Sequence, residues 1–102
     1  MGSMKNYFIG KLFDINYRIA THEGDANSRL ASQAVRILFL SPDEVPSRYS
    51  AEFNKLKDII EETVKSLPVP GLTPSKLSKI RNDTAARYIK LLLDIQYSMD
   101  DE

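Results

Sequence analysis

The chain contains no cysteine and no tryptophan, and His22 is its single histidine. Without thiols there is neither a disulfide nor a thiolate nucleophile, and one imidazole is too few ligands for a structural zinc site. Neither sign of charge is in excess, with 14 Lys and Arg against 14 Asp and Glu. A general nucleic-acid binder needs a basic surface to displace counterions, so that class is set aside. The four glycines fall in no phosphate-loop or dinucleotide pattern. The longest apolar run, Ile37-Leu38-Phe39-Leu40, is far too short for a membrane span or a signal-peptide core. The expectations are no metal, no cofactor, no membrane partner and a cytoplasmic location.

What is present is an ordinary globular composition. Apolar residues make up 42% of 102, enough for one core and one domain. The domain is expected over residues 4–99. Met1-Gly2-Ser3 ahead of a second Met reads as a vector scar. Asp100-Asp101-Glu102 reads as a frayed acidic tail, because three negative charges oppose the dipole at a helix C-terminus.

The apolar residues are spaced for helices. From Thr73 to Met99, Leu77, Ile80, Tyr88, Leu91, Leu92 and Ile95 recur at helical intervals behind a Thr-Pro start, predicting one long helix. Its weak point is Arg81-Asn82-Asp83-Thr84, where side chains compete for backbone hydrogen bonds and a kink or break is admissible. A second helix is expected over Ala26–Leu40, with Leu30, Ala31, Ala34, Val35, Ile37 and Leu38 inward and Arg29, Ser32, Gln33 and Arg36 outward. Asp25 or Asn27 would cap it after the turn at Gly24. A third spans Ser47–Leu67, with Tyr49, Phe53, Leu56, Ile60, Thr63, Val64 and Leu67 on its stripe. Between them Ser41-Pro42-Asp43-Glu44 has the form of a capping box, and Pro46 limits it to one short turn.

The first segment, Met4 to His22, admits two readings. As a helix it sets Phe8, Leu12, Ile15 and Ile19 in one row, with Ile9, Phe13 and Ala20 beside them and Lys11, Asp14 and Arg18 in water. As a strand, Phe13 to Ile19 alternates, and residues 7–20 would pair with a second subunit. The helix is preferred because no other stretch alternates. The expected fold is all-α, an antiparallel four-helix bundle with a short extra turn between helices 2 and 3.

Little here points to bond-breaking chemistry. His22, Glu23 and Asp25 could hold a cation but serve equally as a turn and a cap. No Ser or Thr sits in a glycine-flanked nucleophile turn, so a hydrolase built on His22 is the weakest reading. The denser signal is basic. Arg29, Lys79, Arg81, Asn82, Thr84 and Arg87 would form a site for a small anion, such as a nucleotide or cyclic nucleotide, if their helices pack side by side. The segments Gly24-Asp25-Ala26-Asn27-Ser28-Arg29-Leu30 and Ile80-Arg81-Asn82-Asp83-Thr84-Ala85 resemble small uncharacterised helical proteins of bacteria and phages, a resemblance that carries no activity. The leading expectation is a non-enzymatic helical module that binds protein, as a homodimer or higher oligomer, in a regulatory or inhibitory role. Five Tyr and four Phe, and a first segment with more apolar surface than a lone bundle covers, support it. Binding of a small anionic ligand is the alternative.

Overall fold

The computed structural model describes residues 4–69 and 71–100; residues 1–3, expected as a vector scar, and 101–102 of the expected tail lie outside the described residues. It is all-helical, with no strand among the described residues. The elements are α1 (Met4–Thr21), α2 (Ala26–Ala31), α3 (Ala34–Leu38), a 3-10 turn (Pro42–Glu44), α4 (Ser47–Lys65) and α5 (Asn82–Asp100).

Helix α1 settles the ambiguous first segment. Phe8, Leu12, Ile15 and Ile19 form its buried row, each 2% exposed or less. Asp14 and Arg18 pair at 3.0 Å across one turn. Phe13 and Ala20, expected beside the core, are exposed, Phe13 at 59%. They sit past the edge of the buried row, where neither the neighbouring helix nor a loop covers them.

Asp25 caps α2 as expected: its Oδ1 accepts from the backbone N–H of Ser28 at 2.8 Å and from the Ser28 hydroxyl. These two bonds hold the Asp25 carboxyl below the usual carboxylate range. A depressed pKa stabilises the fold at pH values where the unfolded carboxyl is ionised, and that contribution is lost as the pH falls through the lower, folded value. Asp25→Asn should therefore melt below the wild type at neutral pH. The gap should close on acidification below about pH 4, the ordinary range for Asp, in paired thermal melts across pH 2 to 7.

The single helix expected over residues 26–40 is two. Ser32 Oγ donates to the Arg29 carbonyl at 2.6 Å, and Gln33 N–H bonds to Leu30, three residues back, at 3.1 Å. A hydroxyl that takes a helix carbonyl competes with the ladder, and an i−3 bond tightens the turn. The break turns Gln33 inward, buried where an outward position was expected. The capping box is also corrected. The 3-10 turn forms at Pro42–Glu44, but Ser41 makes no side-chain cap bond. Helix α4 keeps its predicted stripe, with Phe53, Leu56, Ile60 and Thr63 buried, and ends at Lys65.

The largest correction concerns the last helix. It begins at Asn82, not Thr73. Lys79 has φ of 65°, a left-handed conformation that no residue inside an α-helix adopts. The preceding stretch is instead a loop pinned from two sides. Buried Asn27 donates through Nδ2 to the carbonyls of Leu77 at 3.1 Å and Ile80 at 3.2 Å, and its Oδ1 accepts from Leu77 N–H at 2.7 Å. Thr63 Oγ1 on α4 accepts from Ser78 N–H at 3.0 Å. Leu77 is thereby carried into the core without helical backbone. From Asn82 onward, Tyr88, Leu92, Ile95 and Met99 are buried as the spacing requires.

Helices α1 and α5 meet through a polar seam. Asn16 Nδ2 donates to the Leu92 carbonyl at 3.2 Å and to Gln96 Oε1 at 2.7 Å, while Asn16 Oδ1 has no partner. Removing both members of a buried polar pair is far cheaper than removing one. Asn16→Leu combined with Gln96→Leu should be neutral or stabilising by about 1 kcal/mol. Asn16→Ala alone should cost about 2 kcal/mol, both read from urea denaturation.

Candidate functional site

The six basic-cluster residues do not all meet. Asn82 Oδ1 accepts from Asn27 N–H at 3.0 Å, and its Nδ2 donates to Asp25 at 3.4 Å, so Asn82 helps fix the start of α5. Lys79 lies in the pinned loop and Arg81 immediately before α5. Asn82 and Arg87 are five residues apart on one helix, which turns them roughly 140° from each other. Arg87 lines a shallow cleft with Glu52, Tyr88, Lys90, Leu91 and Asp94, and none of the other five residues lines it. Thr84 is half-buried. Arg29 is half-buried on α2, and its Nε is buried without a hydrogen-bond partner. His22 is exposed just past α1.

Two features stand out that the sequence did not single out as sites. The first is a set of exposed aromatics: Phe13 and Tyr17 on α1 at 59% and 62%, and Tyr97 on α5 at 64%. Phe13 and Tyr17 are four apart and so share a side of their helix. Asp14 and Arg18, the charged residues adjacent to them in sequence, pair with each other elsewhere on α1. A hint was available in the sequence, since Phe13 and Tyr17 lie one helical step outside the Phe8–Ile19 row.

The second is a cavity of about 490 Å³ between α1 and the segment from α3 to the 3-10 turn. Its floor is Phe8, Ile15 and Leu40, all nearly fully buried. Tyr7 and Phe39 flank it, exposed at 62% and 83%. Lys11, Asp14, Arg36, Ser41 and Glu44 supply the polar lining. Asp14 Oδ2 accepts from Arg18 Nε at 3.0 Å and from Arg36 Nη1 at 2.9 Å. The Lys11 ammonium sits 5.3 Å from the centre of the Tyr7 ring, within cation–π range. Sequence periodicity could not reveal this cavity, because it depends on how the chain turns after the α2–α3 break.

Comparison of the chain with protein-family models, with curated proteins and with solved structures gave no match. Function is therefore argued from the two surfaces alone. Among the described residues, no helix is long and apolar enough to cross a membrane.

Proposed function

We propose that this chain is a non-enzymatic oligomerisation module that pairs with a second copy of itself through the outer face of α1 and α5. The single observation that carries the reading is an exposed aromatic face whose α1 half carries no charge.

The face is built from the helix register. Thr21 at the end of α1 is only a turn away from Asn27, which bonds Asn82 at the start of α5. Farther back along α1, Asn16 meets Leu92 and Gln96, farther forward on α5. These contacts support an antiparallel pairing of α1 and α5. Stepping three residues back from Asn16 and three forward from the middle of the Leu92–Gln96 contact brings Phe13 alongside Tyr97, and one residue the other way brings Tyr17 toward Leu93. The outward positions on this side are Asn6, Ile9, Gly10, Phe13, Tyr17 and Ala20 on α1 with Ala86, Ile89, Leu93 and Tyr97 on α5. No charge falls among the α1 positions; on α5, exposed Lys90 lies seven residues before Tyr97, within about 20° of it round the helix, and marks the edge of the face.

A neutral face is its own complement. In a two-fold pair the same patch meets itself, so any charge would face its like. The size is adequate: α1's 18 residues give a length of roughly 27 Å, and two helices a width of roughly 20 Å. That is roughly 540 Å² in plan, the small end of interfaces whose standard size is about 800 Å² per partner and one that suits a pair that dissociates on dilution. An antiparallel two-helix face set on its copy makes a four-helix layer at the dimer centre, which places the bundle architecture in the pair.

Light scattering through a dilution series tests the reading. The expected result is twice the chain's mass at high concentration, dissociation on dilution and a melting temperature that rises with concentration. A monomer at every concentration up to the millimolar range would overturn it. The alternative reading, capture of a small anion near Arg29, has the partnerless Nε of that residue in its favour. A thermal-shift screen of nucleotides and cyclic nucleotides that leaves the melting temperature unmoved would remove it.

A further inference from the structure

We propose that the cavity between α1 and the α3 to 3-10 segment binds a zwitterionic apolar ligand, a free amino acid with a large apolar side chain or an apolar dipeptide. It lies on the opposite side of α1 from Phe13 and Tyr17, so it is independent of self-association.

The charges decide the ligand class. Asp14 is already shared by Arg18 and Arg36, leaving that trio with one net positive charge. Two other charged groups line the same cavity without an ion pair among the described residues. Lys11 has the Tyr7 ring, and Glu44 is half-buried and forms no ion pair. An unpaired ammonium and an unpaired carboxylate that share a cavity without touching leave room for a molecule carrying both opposite groups. A carboxylate would be met by Lys11 and the positive trio, and an ammonium by Glu44. Charge-assisted hydrogen bonds of this kind are the strong ones.

Simpler ligands fit less well. A polyanion such as a nucleotide would bring its phosphates against Glu44, and a fatty acid would leave Glu44 without a partner. A lone organic cation would satisfy Glu44 but meet Lys11 over the Tyr7 ring that it would need. The apolar requirement comes from the floor, which offers no polar atom from Phe8, Ile15 or Leu40, and from Phe39, an aromatic that gains cover only from something seated beside it. The volume of about 490 Å³ lies in the ordinary range for small-molecule sites.

The test is an NMR titration of the uniformly labelled chain with L-phenylalanine, L-tryptophan and L-leucyl-L-phenylalanine, set against N-acetyl-L-phenylalanine and L-phenylalaninamide. Saturable shifts confined to the amides around Tyr7, Lys11, Leu40 and Ser41 are expected with at least one zwitterion. Each blocked compound should bind at least about tenfold more weakly, since one ion pair of about 1.4 kcal/mol corresponds to that factor. Glu44→Gln should erase the discrimination against the N-acetyl compound, and Lys11→Gln that against the amide, with unchanged helical circular dichroism. No saturable shift with any zwitterion overturns the proposal, as does equal binding of zwitterions and blocked compounds. Repeating the titration on the Phe13→Lys chain separates this outcome from self-association.

Discussion

Asn27→Ala should lower the stability of the chain by about 3 kcal/mol, the largest effect expected for any single polar side chain here. Asn27 is 5% exposed and makes three side-chain hydrogen bonds to the backbone of Leu77 and Ile80. Alanine deletes all three. It also leaves a buried donor, the Leu77 N–H, with no partner, at a cost of about 1–3 kcal/mol by itself. Helix propensity favours alanine by a few tenths of a kcal/mol at most positions, too little to offset the loss. Against a total of about 5–15 kcal/mol for a domain of this size, the pinned loop would open first. Urea denaturation should show a lower midpoint, and hydrogen exchange should show the Leu77 and Ser78 amides losing protection ahead of α4 and α5. Asn27→Asp sharpens the point. Its Oδ1 can still accept from Leu77 N–H, but its other oxygen faces two carbonyls. The ionised form is disfavoured in the fold, so the introduced carboxyl has a raised pKa. Its destabilisation should be small below about pH 4 and grow as the pH rises through the folded value. A loss that is the same at every pH would show that the two carbonyl contacts contribute nothing.

The same latch explains what the sequence conveyed and what it concealed. The helical stripes of α1 and α4, and of α5 from Tyr88 on, could be read directly, because each alternates a buried row with a wet face at the helical period. The cap of α2 was legible to within two candidates, Asp25 and Asn27, because both follow the Gly24 turn, and the structure uses Asp25. The start of α5 was not. Leu77 and Ile80 keep the phase of Tyr88 and Leu92, so periodicity alone extends the helix through them. They are inward because Asn27 and Thr63 hold their loop against α2 and α4, a long-range arrangement that local spacing cannot express. Gln33 faces inward for the same kind of reason, since the break at Ser32 re-aims that residue while Ala34 and Ile37 beyond it stay buried and Arg36 stays exposed. For the candidate sites, residue type misled more than position did. The basic residues near Arg81 stand out by charge, whereas the proposed face stands out on α1 by its lack of charge. Such a face is visible only when two helices are known to lie side by side.

Phe13→Lys is the substitution that should act most strongly on association. In a two-fold pair every change is made twice, so two ammonium groups enter one apolar interface. Burying even one unpaired charge is costly, and the two ammonium groups would repel each other across the two-fold axis. The dissociation constant should rise by at least about 100-fold, corresponding to about 2.8 kcal/mol, and light scattering should report a monomer at concentrations where the wild type pairs. Stability of the isolated chain should change by no more than about 0.5 kcal/mol, because Phe13 is 59% exposed and surface substitutions seldom exceed that. Tyr97→Lys should act alike from the other helix, since the register sets it beside Phe13. Val69→Lys is the control: Val69 is 53% exposed in the connector after α4, away from the face, and should leave the pair intact. If Val69→Lys dissociates the pair as strongly as Phe13→Lys, association is general apolar adhesion and not a defined interface. If Phe13→Lys and Tyr97→Lys both leave it intact, the interface lies on another face. The sharpest outcome is the mixture of two monomeric variants, Phe13→Lys with Phe13→Glu. Pairing restored only in the mixture would require that the two substituted side chains meet across the two-fold axis, putting α1 against α1 at the centre of the dimer.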